Sequence, residues 1–243
     1  MESDCYMIFD AHIHLVPGVG GDPTDAWQSY QMIDKLNAAG VRGALSLTRL
    51  DPYRLHPVIY RQRCAQKISL IRAYIKENRY RIRPIFATEL LYRVGIHKDF
   101  DITQFLIPKS RFLPLRFPAE PIADDWMRDL SFLVSKMRIV PIVCHFDEQY
   151  MMGNGERFAN SSSLVLQISA LSLKNKRFAK FVLTQMRSGR RFIIGSGAEI
   201  PEILDCKACY CSEDWSLDIL QRTAHERLYL QNNDFRKAIT PVR

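Results

Sequence analysis

One pattern constrains this chain more than any other. Short β-rich runs recur at Tyr6–Phe9, Gly43–Leu47, Ile82–Ala87, Phe112–Phe117, Ile139–Cys144, Leu164–Ile168 and Arg191–Ile194, with longer helical patterns between them. The runs are apolar on both faces, as parallel strands covered by helices must be. Such alternation builds βα units around a parallel sheet. Thr24 is placed to cap a helix reaching about Ala39, with Gly40 as its stop. Further helices are expected from Pro57 to about Asn78, Ala123 to Lys136, Arg177 to Arg187 (stopped by Gly189) and Trp215 to about Leu230; Val94 to Arg111 is mixed. Seven strands suit either a doubly wound sheet or a closed TIM-like barrel, and periodicity alone does not separate the two. The 243 residues contain no Ser/Gly linker, repeat or low-complexity tract. Residues 1–243 are therefore read as a single domain.

Composition narrows the setting. No run approaches the ~18 apolar residues that span a bilayer, and Met1 to Cys5 carries two acids where a signal peptide needs basic residues. Six irregularly spaced Cys are too few for a disulfide scaffold, so a cytoplasmic location and no membrane insertion are expected. The 34 Lys and Arg exceed the 26 Asp and Glu by eight, which suits an anionic partner.

The chemistry gathers at strand ends. In Phe9-Asp10-Ala11-His12-Ile13-His14, residues i and i+2 of an extended chain point the same way. His12 and His14 thus aim two imidazoles in one direction, the arrangement with which His-x-His grips a transition metal. Two polar residues in a turn, with Asp10 as a cap, is the plainer reading. Glu89 follows the third strand and His145 the fifth, both where the C-terminal mouth of a barrel would lie. Arg49 after the second strand, Arg116 near the end of the fourth, and Gly197 and Glu199 after the seventh share that end. Arginine cannot ligate a metal, so these two either bind phosphate or stabilise carboxylates such as Glu89.

On these residues the sequence resembles the PHP (polymerase and histidinol phosphatase) superfamily, in particular the bacterial capsular-polysaccharide-type protein-tyrosine phosphatases. The resemblance runs from Met7 to about Leu230. It rests on Phe9-Asp10-Ala11-His12-Ile13-His14-Leu15-Val16-Pro17-Gly18-Val19, Ala39-Gly40-Val41, Phe112 to Pro118, Val140-Pro141-Ile142-Val143-Cys144-His145 and Leu166-Gln167-Ile168-Ser169-Ala170-Leu171-Ser172-Leu173. It implies a distorted (β/α)7 TIM-like barrel with a metal cluster at its mouth. It also implies hydrolysis of phosphotyrosine, typically on a tyrosine kinase that controls polysaccharide export. His12 and His14 match the family's first-strand ligands, Glu89 its bridging carboxylate and His145 its fifth-strand histidine. Arg49 stands where the family has a histidine, Arg116 where it has a glutamate, and Ser196-Gly197-Ala198-Glu199 where it has Ser-Asp-Ala-His. The family's arginine after the fifth-strand histidine is absent, with Glu148 or Gln149 nearby.

Four ligands kept and four lost imply fewer than three ions, since an arginine ~4 Å from a cation repels it by on the order of a few kcal/mol at an effective dielectric near 20. A single divalent ion (Mn, Fe or Zn) on His12, His14 and Glu89, helped by His145 or Glu199, is expected. Two functions follow. One is a metal-dependent phosphoesterase in which Arg49 and Arg116 hold the phosphate and His145 is a ligand or a general acid. The other is a catalytically impaired module that binds a phosphorylated or acidic partner. The expected partner of either is a phosphotyrosine-containing protein such as a polysaccharide-export tyrosine kinase; an oligomer is compatible with both. A weaker reading, nucleic-acid binding, would use Arg79-Tyr80-Arg81-Ile82-Arg83 as a strand with three Arg on one face and Tyr80 as a stacking ring, together with Arg187, Arg190 and Arg191. Cys206-x2-Cys209-x-Cys211 lacks the second ligand pair of a structural zinc site.

Overall fold

The computed structural model of the chain describes residues 8–20, 23–210 and 219–240. The elements run β1 (Phe9–Ile13), α1 (Ala26–Ala38), β2 (Gly43–Leu50), α2 (Pro57–Glu77), β3 (Arg83–Leu91), α3 (Ile96–Asp99), β4 (Phe112–Arg116) and α4 (Asp124–Ser135). They continue with β5 (Val140–Cys144), α5 (Phe146–Met151), α6 (Gly155–Ala159), β6 (Val165–Ser169), α7 (Lys176–Arg187), β7 (Arg191–Gly195), α8 (Cys206–Tyr210) and α9 (Ile219–Ile239). All strands are parallel and pair in chain order, β1 to β7, in one sheet that curls nearly into a barrel with helices outside. This settles the choice left open by periodicity in favour of the TIM-like barrel.

Closure is made by side chains as much as by backbone. Among the described residues, the backbone bonds between the β1 and β7 segments lie near the top, Gly197 N–H to the His12 carbonyl at 2.8 Å and His14 N–H to the Ala198 carbonyl at 3.0 Å. Below them Asn232 of α9 bridges the seam: its amide donates to the Phe9 and Ile194 carbonyls at 3.0 and 2.7 Å and accepts from Ile194 N–H at 2.9 Å. One buried amide thus satisfies three backbone groups that an open edge would leave bare.

The core has two parts. Outside the sheet, helix faces such as Met32, Ile33 and Leu36 of α1 pack on the strands. Inside, Phe9, Leu45, Leu47, Ile142, Val165 and Ile193 fill the barrel, and Phe235 and Ile239 of α9 join them from below. Gln221, Ala224, His225, Leu228, Asn232, Phe235 and Ile239 are all buried at helical spacing along α9. The helix therefore runs nine residues past the expected end at Leu230; the expected start, Trp215, lies outside the described residues.

Other expectations shift slightly. α1 is capped by Asp25, whose carboxylate accepts Gln28 N–H at 2.9 Å, and not by Thr24. Asp25 is the last extended residue, so its side chain faces the orphan amides. Asn175 caps α7 in the same way. The mixed segment 94–111 holds α3 and a 3-10 turn at Ile102–Phe105. The supposed strand Arg79–Arg83 does not form. Arg79 terminates α2 in the left-handed region at φ 54, and β3 begins only at Arg83. Tyr80 donates its hydroxyl to Asp34 at 2.8 Å and is half-buried beside Tyr74. The three-Arg strand face with a free stacking ring is thereby removed.

Candidate functional site

The mouth is built from β1 outwards. Between Asp10 and Ile13, β1 advances three residues while β2 advances two, a bulge at the sheet's seam. The buried Asp10 shapes it. One carboxylate oxygen accepts His12 N–H at 2.9 Å and Ser196 N–H at 3.0 Å; the other accepts the Ser196 and Tyr210 hydroxyls at 2.7 and 2.5 Å. Burial pushes the Asp10 carboxyl above its usual range, and these donors pull against it. Gly195 permits the approach, because a Cβ there would collide with the His12 amide nitrogen.

His12 and His14 do share a side, with their Nε2 atoms 3.0 Å apart. His12 Nδ1 lies 2.7 Å from Gln167 Oε1, which also accepts His145 N–H at 2.8 Å, while Gln167 Nε2 donates to the Ile168 carbonyl. An amide oxygen can only accept, so Nδ1 of His12 carries the proton and Nε2 presents its lone pair. Two ring nitrogens so close must share either a proton or a cation. Burial holds both imidazoles well below the usual histidine range; His145 and His14 add to this for His12, and Arg49 and His145 for His14. Neutral imidazole is the ligating form.

Glu89, in β3, is fully buried between a guanidinium and the imidazoles. Its Oε2 accepts Arg49 Nε at 3.3 Å and lies 3.9 Å from His14 Nε2; its Oε1 lies 3.6 Å from His145 Nε2. His145 takes a left-handed backbone, φ 51, at the start of α5. That turn throws the ring back over the mouth, centroid 4.5 Å from that of His12. Ligand atoms of His12, His14, Glu89 and His145 all lie within 4.8 Å of one another. Glu89 Oε1 and His145 Nε2 are both buried without a hydrogen-bond partner. An orphaned buried carboxylate oxygen costs a few kcal/mol, and a cation between it and the three imidazoles removes that cost. By this test the four residues fit one divalent ion.

The remaining candidates surround this group. Arg49 bridges Glu89 and Glu199, so Glu199 stands outside the cluster of four with its carboxylate on the guanidinium. Arg116 donates to Glu148 at 2.7 Å, and the other oxygen of Glu148 lies 3.4 Å from His145 Nδ1. His145 chiefly, with Arg116 helping against burial, pulls the Glu148 carboxyl down to about 2. One Arg116 nitrogen, Nη1, is buried and unpartnered. A pocket of about 210 Å³ is lined by Arg49, Glu89 and Arg116 together with Gly20, Asp51 and Leu91. Gly20, at φ 72, lets the loop after β1 lie against the Arg49 carbonyl, which a Cβ would strike.

Gln167 was not among the expected site residues, although a lone amide in an apolar strand is itself a signal. Glu148 was seen only as a neighbour of a missing arginine. Cys209 is buried, Cys206 Sγ lies 3.5 Å from the Lys35 carbonyl, and Cys211 lies outside the described residues. Among the described residues neither joins a metal-competent group, and no helix is long and apolar enough to cross a membrane.

The fold is also that of a solved chain. Over 93% of this chain and 95% of the other, at a TM-score of 0.68 and 15% identity, it matches a chain from the crystal structures of YwqE from Bacillus subtilis and CpsB from Streptococcus pneumoniae, described as unique metal-dependent tyrosine phosphatases. The chain has the fold of those phosphatases. No family model and no curated protein matches it in sequence.

Proposed function

We propose that the protein is a metal-dependent phosphoesterase that hydrolyses a phosphomonoester, with phosphotyrosine on a protein as substrate and a polysaccharide-export tyrosine kinase as the class of partner. The observation that carries this reading is the pair of orphaned atoms, Glu89 Oε1 and His145 Nε2, converging with His12 and His14 beside a pocket walled by two arginines. A shared fold with metal-dependent tyrosine phosphatases supports it. The ion (Mn, Fe or Zn) would polarise the phosphoryl group and acidify attacking water. His12 and His14 stay neutral, and Gln167 fixes the tautomer of His12. Of the two roles weighed for His145, the aim of Nε2 at Glu89 favours ligation over acid catalysis.

Arg49 and Arg116 supply the anion site. In the resting protein each guanidinium is occupied by a carboxylate, Glu199 and Glu148. A phosphoryl group offers the same bidentate geometry with more charge and takes their place, so that fixed guanidiniums offset transition-state charge. Because Arg49 holds one oxygen of Glu89, that carboxylate serves one ion and does not bridge two. A cytoplasmic setting, where thiols stay reduced and kinases act, fits this reading.

The same paired arginines favour a second reading, an impaired module that binds a phosphorylated or acidic partner without cleaving it. Hydrolysis of p-nitrophenyl phosphate separates the two. Turnover is expected after addition of Mn, Fe or Zn to chelator-treated protein, and Glu89→Ala abolishes it. Metal uptake without turnover supports the module, and turnover that survives Glu89→Ala refutes the site.

A further inference from the structure

The end of the barrel opposite the mouth carries an arrangement that phosphoester chemistry does not use. The strands begin there, and arginines stand at or just before the start of five of the seven. Six of them are Arg42 at β2, Arg81 and Arg83 at β3, Arg111 at β4, Arg138 at β5 and Arg191 at β7. The start of β1 is preceded by residues outside the description, and β6 is preceded by Ser161, Ser162, Ser163 and Leu164. Register puts these arginines at one level, since Gly43 pairs Arg83, Phe112 pairs Val140 and Val165 pairs Arg191. Five of the six are exposed and Arg42 is half-buried. Among the described residues none of the six has a carboxylate partner; where bonded, they donate to backbone carbonyls, as Arg111 does to Arg138 and Arg191 to Ser163. The two basic clusters of the sequence, far apart in the chain, thus lie on one face.

Helix C-termini point at this face, and their negative ends account for basic residues within the last turn, such as Arg187. They do not account for Arg83 and Arg191, which open strands. Nor do they explain why left-handed positions are given to Arg79, Lys109 and Arg138, at φ 54, 59 and 60, where glycine or asparagine is the unstrained choice. Between the starts of β4, β6 and β7 and helix α9 lies a hollow of about 290 Å³. Phe112, Phe192, Phe235 and Ala238 give it an apolar lining, and Arg191 and Asp234 also border it. Asp234 already faces Lys237 at 3.5 Å.

We propose that this face is a docking surface for an acidic polypeptide segment, whose carboxylates meet the arginines while one apolar side chain seats in the hollow. Charge complementarity selects an anion, and arginine forks suit carboxylates. The hollow selects a polypeptide over nucleic acid, because it is apolar and because Tyr80, the ring within the Arg79–Arg83 cluster, is tied to Asp34. It also selects against a lipid surface, since among the described residues none of the large exposed apolar side chains lies in the loops that begin strands. The proposal stands whether or not the mouth hydrolyses phosphate.

Fluorescence anisotropy on the full chain tests it, with a labelled polyglutamate peptide carrying one central phenylalanine. A phenylalanine-to-alanine peptide, a polythymidine oligonucleotide and phosphatidylserine vesicles complete the set. The phenylalanine peptide is expected to bind best, and the double variant Arg81→Glu/Arg191→Glu to weaken it roughly tenfold or more. Ala238→Trp, which fills the hollow from an exposed helix position, lowers binding of the phenylalanine peptide to the level of the alanine peptide. Hydrolysis at the mouth stays unchanged in both variants. Equal affinity for the two peptides, tighter binding of oligonucleotide or vesicle, or indifference to charge reversal overturns the proposal.

Discussion

The two ends of the barrel handle charge in opposite ways. At the mouth every formal charge is answered: Arg49 by Glu89 and Glu199, Arg116 by Glu148. What is left over is one guanidinium nitrogen, Arg116 Nη1, and the buried ligand atoms Glu89 Oε1 and His145 Nε2. At the far end arginines stand mostly exposed and, among the described residues, without carboxylate partners, above a core plugged by Phe235 and Ile239. Desolvated groups at the mouth are worth a great deal to the right ligand and cost stability without it. Exposed charges below cost little in stability and act on whatever approaches from solution. On the functions proposed above, this is a division of labour: chemistry at the tops of the strands, stability in the seam and lower core, recognition at the bottom.

That division can be broken first at the mouth. His12→Ala should lower metal-dependent turnover by on the order of 10³-fold or more while the metal-free protein melts within a degree or two of wild type. A large loss of Tm together with activity would mean that the imidazoles hold the fold. Asn232→Ala is the converse. It strips three backbone groups of their partners at the seam, costing about 3 kcal/mol, which calorimetry should read as a Tm lower by roughly 6–12 °C in a chain of this size. Metal affinity of the folded protein should stay near wild type.

Gln167→Leu removes the acceptor for His12 Nδ1 and keeps the volume. Metal affinity should fall about 10–100-fold, and nitrogen NMR of His12 should show mixed tautomers. An unchanged tautomer would reduce Gln167 to packing. The smallest effect concerns Glu148 in chelator-treated protein. Its carboxyl sits at about 2 when folded against 4.5 ordinarily, so it stabilises the fold above the ordinary value and loses that contribution as pH falls towards 2. With 43% of the side chain exposed, solvent limits this to about 1 kcal/mol. Glu148→Gln should therefore melt slightly below wild type at about pH 6, with the gap narrowing by about pH 3.

Much of this was legible in the sequence because it is local. Alternation gave the seven parallel strands and the helices between them, and His-x-His at the end of an apolar run gave two imidazoles on one side. Glycine 40 and Gly189 marked helix ends at φ 77 and 81 as expected. What escaped depends on pairs far apart in the chain. Asn232 meets Phe9, Gln167 meets His12, and Arg49 meets Glu199 only once the barrel curls, and no periodicity encodes such meetings. The length of α9 escaped for a related reason: the sequence pattern ends the last helix at about Leu230, and Phe235 and Ile239 extend it because they plug the barrel floor. Arg79–Arg83 misled because alternation of Arg and apolar residues fits a strand, whereas the end of α2 had prior claim on Arg79 as its left-handed terminus.

The central claim is that His12, His14, Glu89 and His145 converge on a place for one cation. Anomalous diffraction from crystals grown with Mn or Zn tests it most directly. A single peak among those four side chains, with Arg49 and Arg116 beside it and no second peak at the mouth, is the expected result. No peak there, or two or three ions sharing Glu89, would contradict the account.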